Sequence, residues 1–141
     1  MLRLTLIIGL ALIVTGADAR SKKKHVRHGP QFRAERIEHS LRNLAPNERL
    51  IQLCDVTAMQ RVRKEQSDFK PDRAIADAIT TAVVQHNTVT APGGALRSGG
   101  KWYELSYSCT GAADNMKVEK FSYKIGAAIP EEKWAAYNLW Q

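Results

Sequence analysis

The sequence predicts an α+β fold, and three observations predict it. Residues 46–65 carry apolar side chains at helical spacing, residues 101–110 alternate with a period of two, and the two cysteines, Cys54 and Cys109, fall one in each stretch. The expected architecture is a small antiparallel sheet of about four strands packed on one main helix, with flanking short helices and one disulfide. A chain of 141 residues suffices for one domain of ordinary size.

The N-terminus stands apart from that domain. Arg3 supplies positive charge, Leu4 to Gly16 is an almost unbroken apolar run, and Ala17-Asp18-Ala19 has the small-x-small pattern of a cleavage site. This is the pattern of a secretory signal peptide, residues 1–19. The run falls short of the roughly 20 apolar residues that a membrane span needs, so no span is expected once the leader is removed. The expected location is periplasmic or secreted.

Residues 20–36 form a basic tail. The chain's formal net charge is +7, but from Ile37 onward 13 basic residues stand against 12 acidic ones, so the excess belongs to the tail. Arg20, Lys22, Lys23, Lys24 and Arg27 have almost nothing apolar beside them, a composition that favours disorder. They are the candidate surface-binding residues, toward an anionic envelope component or an unknown protein partner. Each could contribute up to about 1 kcal/mol beside an anionic membrane. Nucleic acid is disfavoured as a partner, because no aromatic platform is interleaved with the charges.

The single α+β domain is expected over 37–141. Across its start, Gln31 to Leu44 reads as a short charged helix, with Ile37, Leu41 and Leu44 on one side. Pro46 and Glu48 then open the main helix, which runs to about Glu65. Leu50, Ile51, Cys54, Ala58 and Val62 form its buried stripe. Ala74 to Val84 is ambiguous: alanines favour a helical start, and Thr80, Thr81, Val83 and Val84 favour strand. The reading adopted is a start open to helix, a strand near Ala82 to Gln85, a turn at His86-Asn87, and a returning strand from Thr88 to Ala91, ended by Pro92-Gly93-Gly94.

Gly99-Gly100 permits a tight hairpin turn. Beyond it Tyr103, Leu105, Tyr107 and Cys109 share the core face, and Trp102, Glu104, Ser106 and Ser108 share the other. Trp102 is therefore a possible partner contact, or it lies under the C-terminal helix or the ambiguous Ala74 to Val84 segment. In the following strand the apolar parity switches between Val118 and Phe121, which predicts either a bulge near Glu119-Lys120 or partial burial of both faces. Gly126 is expected to end that strand. Pro130-Glu131-Glu132 then opens a short helix whose Trp134, Tyr137 and Leu139 pack on the sheet edge or the main helix.

Cys54 and Cys109 both point at the seam between helix and strand, and in an oxidising compartment such a pair forms a bridge. Little in the sequence points to catalysis. There is no G-x-S-x-G and no H-E-x-x-H. The glycine-rich stretch misses a P-loop at Ala95 and Trp102. His25 and His28 sit among cations, and His39 and His86 are isolated, so no metal ligand set is assigned. Asp55, Asp72 and Asp77 have no visible catalytic partner. No catalytic residue, cofactor or enzyme activity is expected.

The string Phe69-Lys70-Pro71-Asp72-Arg73, with Arg97-Ser98, Gly100-Lys101-Trp102-Tyr103, Cys109, Met116-Lys117-Val118, Ile129-Pro130, Trp134 and Asn138-Leu139, resembles an exported alphaproteobacterial family. It is catalogued as domain of unknown function nine hundred and thirty. The likeness runs roughly from Glu48 to Trp140. The resemblance implies an exported bacterial protein and supplies no reaction or ligand.

The expected function is thus a non-catalytic binding or envelope-associated module. The alternative is a secreted effector or virulence-type factor acting on a host or neighbouring cell; an undetected enzyme comes third. Export predicts a mature polypeptide beginning at Arg20. Intact mass of the protein recovered outside the cytoplasm checks this, and a mass that still includes Met1 to Ala19 would identify the segment as a retained anchor.

Overall fold

A computed structural model describes residues 30–141. Helix α1 spans Pro30–Arg42 and helix α2 spans Pro46–Glu65. Five strands follow: β1 (Pro71–Thr80), β2 (Val83–Gln85), β3 (Thr88–Ser98), β4 (Lys101–Gly111) and β5 (Val118–Ala128). Two 3-10 turns, Glu131–Lys133 and Ala135–Tyr137, close the chain. The expected signal peptide and the basic segment up to Gly29 lie outside the described residues. Residues 30–36, which composition groups with the tail, are helical backbone in α1.

The α+β architecture is the one expected. The sheet is antiparallel in the order β1-β3-β4-β5, and the short β2 lies beside β1 along the same edge of β3. Helix α2 crosses one face. Leu50, Cys54, Ala58 and Val62 are fully buried against Val89, Ala91, Leu96, Leu105 and Cys109. Pro46 supplies a preset φ at the first turn, Glu48 meets the positive end of the helix dipole, and Arg63 and Lys64 meet the negative end.

The disulfide joins these layers at their centre. Cys54 and Cys109 are bonded with Cα atoms 6.0 Å apart, and neither residue is exposed. They are 55 residues apart, so the bridge removes substantial entropy from the unfolded chain, about 4 kcal/mol in the loop-closure picture.

Three segments differ from the sequence reading. The stretch from Ala74 is strand and not the start of a helix. Its alanines serve packing: Ala76 is 1% exposed beneath α2, where a larger side chain would push the helix off the sheet. Pairing with β3 and burial under α2 outweigh alanine's helix preference here. Second, β3 does not stop at Pro92-Gly93-Gly94 but continues to Ser98. The break is absorbed as an irregularity, since Ala91 pairs with Tyr107 and Gly94 with Leu105, leaving one extra residue in β3. At Gly94 a Cβ would lie 2.6 Å from the Ile75 carbonyl oxygen, so only glycine admits this close approach. Third, β5 runs past Gly126 to Ala128, through a further register shift opposite Glu104.

Two finer features match the sequence. Gly99 and Gly100 both have positive φ in the β3–β4 turn. Thr110 pairs with Lys120 and Gly111 with Val118, so Glu119 is the unpaired residue of a bulge. After it Phe121, Tyr123 and Ile125 turn toward α2, while Lys120, Ser122 and Lys124 turn away.

The second face of the sheet is covered over part of its area by the C-terminal segment. Ala95, Trp102, Ile129, Trp134 and Leu139 form a separate buried cluster there. Main-chain and indole bonds hold it down: Ile129 N donates to Trp102 O at 2.8 Å, and Trp134 Nε1 donates to Ile129 O at 2.9 Å.

Replacing both cysteines by alanine is expected to lower stability by about 2–5 kcal/mol, measured as a shift in the urea midpoint at constant slope. Alkylation of the native protein under denaturing conditions without reductant should add nothing; two added groups would show the thiols unpaired.

Candidate binding site

The residues singled out from sequence have different fates. Cys54 and Cys109 are joined in the core. Arg20, Lys22, Lys23, Lys24 and Arg27 lie outside the described residues. Trp102 does not present its ring to a partner. It is 0% exposed, lies under the C-terminal segment, and donates its Nε1–H to the Trp140 carbonyl at 3.0 Å. The alternation placed it correctly on the face away from α2, but that face is partly a second core and not solvent.

A buried polar pair lies beside the disulfide. Asp55 follows Cys54 on α2 and is 6% exposed; Tyr107 on β4 is 4% exposed. The Tyr107 hydroxyl donates to Asp55 Oδ1 at 2.9 Å, and the Ala76 backbone N–H also donates to this carboxyl. Burial pushes the Asp55 pKa up to about 7; the like charge of Asp77 adds to the rise, and the Tyr107 and Ala76 bonds moderate it. Tyr107 is pushed upward too, first by burial and then by the Asp55 charge, so it remains the donor. The signal for Asp55 was present in the sequence, because positions 51, 55, 58 and 62 share helical spacing. An aspartate on that stripe has to find a partner among the strand residues facing it.

An arginine clamp fixes the chain's end. Arg97 donates to Asp72 Oδ1 at 2.8 Å and Oδ2 at 3.1 Å, which holds the Asp72 carboxyl below the usual carboxylate range. It also donates to the Trp140 carbonyl at 3.3 Å. The Arg73 guanidinium lies 4.8 Å from the centre of the half-exposed Trp140 ring. These cations are engaged in holding the C-terminal segment.

Phe69 to Arg73, the Arg97–Asp72 pair, the Cys54–Cys109 bridge and Trp134 therefore belong to one folded unit. The profile of the Domain of Unknown Function (DUF930) matches residues 41–139. The chain belongs to the DUF930 family. No curated protein and no solved structure matches it. The DUF930 region begins near the end of α1 and closes at Leu139, so it takes in α2, the whole sheet and the C-terminal cluster, whereas most of α1 precedes it.

A concave surface lies where α1 meets the DUF930 domain. A groove of about 660 Å³ runs between α1, α2 and β1. Ile37, Leu41, Leu44, Ile51 and Val56 supply its apolar lining, and Arg36, Glu48 and Asp77 stand around it. Its size and apolar character are those of small-ligand and peptide sites. Arg49 builds it by holding α1 in place: Nε donates to Leu41 O at 3.0 Å, and Nη2 to Arg42 O at 3.2 Å and Leu44 O at 3.1 Å. These are carbonyls at a helix C-terminus, which lack partners within the helix. Asn115 Nδ2 ties the β4–β5 turn to the start of α2 by donating to Pro46 O at 3.1 Å.

Among the described residues no three of His, Cys, Asp and Glu converge as a metal set, and no helix is long and apolar enough to cross a membrane. In the DUF930 domain the titratable group of greatest chemical interest, Asp55, is closed off by α2 and the sheet, and it does not line the groove.

Because the folded pKa of Asp55 is raised, the native state holds this proton more tightly than the unfolded chain does. The associated stability is complete below the unfolded value near 4 and is lost as pH rises toward 7, about 4 kcal/mol in all. Asp55→Asn keeps an acceptor for Tyr107 without the charge. It is expected to flatten the stability profile between pH 4 and 7 and to be more stable than the parent at pH 8. Urea midpoints across that range check the sign.

Proposed function

We propose that this protein is a non-catalytic binding module of the bacterial envelope, exported and held near an anionic surface by Arg20, Lys22, Lys23, Lys24 and Arg27. The observation that carries the binding part is the contrast between the two polar and apolar centres. The perturbed carboxyl at Asp55 is sealed from any substrate, while the large groove beside α2 is open and apolar. Catalysis requires titratable groups within hydrogen-bond reach of a substrate, whereas binding requires accessible apolar area with a few polar groups at its margin. The Cys54–Cys109 bridge supports export, since bonds of this kind persist in oxidising compartments. The net charge of residues 37–141 is near zero, so attraction to an anionic surface would have to come from the basic segment.

Cell fractionation tests the reading. The full-length protein is expected with the envelope at low salt and to be released at high salt, because exposed charges are screened within about 8 Å at physiological ionic strength. A variant with glutamine at positions 20, 22, 23, 24 and 27 should be released at low salt. Recovery in the cytoplasm with both thiols reduced would remove the export reading, and unchanged partitioning of the variant would remove the role of the basic segment.

A further inference from the structure

Strand β5 forms one margin of the sheet. Among the described residues it pairs with β4 alone. From Lys120 to Ile125 its register against β4 is unbroken, running from Thr110 to Leu105; the Glu119 bulge bounds this stretch on one side and the shift before Ala128 on the other. Six residues of regular strand therefore have an outer edge of backbone groups without strand partners, a template onto which another extended chain can add.

The two sides of this edge differ in chemistry. Toward α2, Phe121, Tyr123 and Ile125 are each half-buried, with the Phe121 and Tyr123 ring centres 6.0 Å apart. A hollow of about 570 Å³ opens beside them, with Phe69, Tyr123 and Ile125 on its apolar side. On the opposite side Lys120, Ser122 and Lys124 are exposed, and among the described residues neither lysine takes part in an ion pair. A chain added here would place alternate side chains on an aromatic ledge and the intervening ones beside two cations.

A second copy of this strand fits poorly in the register that pairs the whole regular stretch. Antiparallel self-pairing centred on Ser122 sets Lys120 of each copy against Lys124 of the other. Like charges directly opposite are destabilising, and edge lysines are a common guard against such pairing.

We propose that β5 is a docking edge for an extended segment of another protein, one that alternates acidic side chains with large apolar ones and adds to the sheet as a further strand. This deepens the binding-module reading by naming the kind of partner, and it involves neither the basic segment nor the α1–α2 groove. The acids would meet Lys120 and Lys124, and the apolar residues would cover Phe121, Tyr123 and Ile125.

The test is a titration of isotope-labelled full-length protein with the heptapeptide Asp-Val-Asp-Val-Asp-Val-Asp, alongside a version with lysine at each aspartate, followed by amide shifts and amide exchange. The acidic peptide is expected to shift and protect amides between Lys120 and Ile125, and the lysine peptide to do neither. The charge-swapped variant K120E/K124E should weaken the acidic peptide by about tenfold or more and acquire affinity for the lysine peptide. That gain also shows that the variant is folded. Undisturbed β5 amides would overturn the proposal, as would equal binding of the acidic peptide by parent and variant. Shifts confined to residues 20–27 would overturn the docking edge while leaving the anionic-surface reading intact. Concentration-dependent dimerisation through β5 would overturn the choice of partner.

Discussion

Everything in this structure depends on how closely α2 can lie on the sheet. The helix contributes Leu50, Cys54, Ala58 and Val62, and the strands beneath answer with small side chains where it presses hardest, at Ala76 and Ala91. Close approach brings Cys54 within bonding distance of Cys109, and the bond then holds the two layers in one register. It also creates a cost: Asp55, on the same stripe, is carried into the seam with its carboxyl. The Tyr107 hydroxyl and the Ala76 N–H meet that carboxyl, so the buried polar group is satisfied without a counter-charge. The bridge and the polar pair are two consequences of one packing distance.

The two faces of the sheet are stabilised by different means. Under α2 the core is mostly aliphatic, with Tyr107 and the Phe121 and Tyr123 rings at its side, and it is cross-linked. On the other face three elements converge on one point near the chain's end: Trp102 and Arg97 both donate to the Trp140 carbonyl, and Arg73 stacks on the Trp140 ring. Several weak, directed interactions there take the place of a covalent bond. That cover reaches only part of the face, and among the described residues no strand lies beyond β5. The β5 edge and the groove beside α1 are open surfaces of the domain, whereas Asp55, Asp72 and Arg97 are engaged in contacts within the fold.

Much of the architecture was legible in the sequence. Both bounds of α2 follow from proline at its first turn and the apolar stripe behind it. The switch of parity between Val118 and Phe121 announces the Glu119 bulge, because a period-two pattern can change faces only by inserting a residue. The cysteine pairing is legible for a similar reason, since both cysteines sit on stripes that must face one another. Local spacing decides such features, and spacing is written in the chain. The groove was not legible: one of its walls depends on Arg49 reaching back to three carbonyls of the preceding helix and turn.

The sequence by itself therefore determined the fold class, the main helix, the hairpin turn and the disulfide. It also placed Trp102 on the right side of its strand, and the spacing that sets the α2 stripe carries Asp55 too, although the sequence reading did not assign it there. Only the tertiary structure decided what those sides meet. Trp102 became core because the C-terminal segment folds over it, and Ala74 to Thr80 became strand because pairing with β3 and burial under α2 outweigh alanine's preference for helix. Asp55 acquired its raised pKa because packing between α2 and the sheet takes its carboxyl out of water. Periodicity states which residues share a face; whether that face is solvent, core or partner depends on elements far away in sequence, and only their packing settles it.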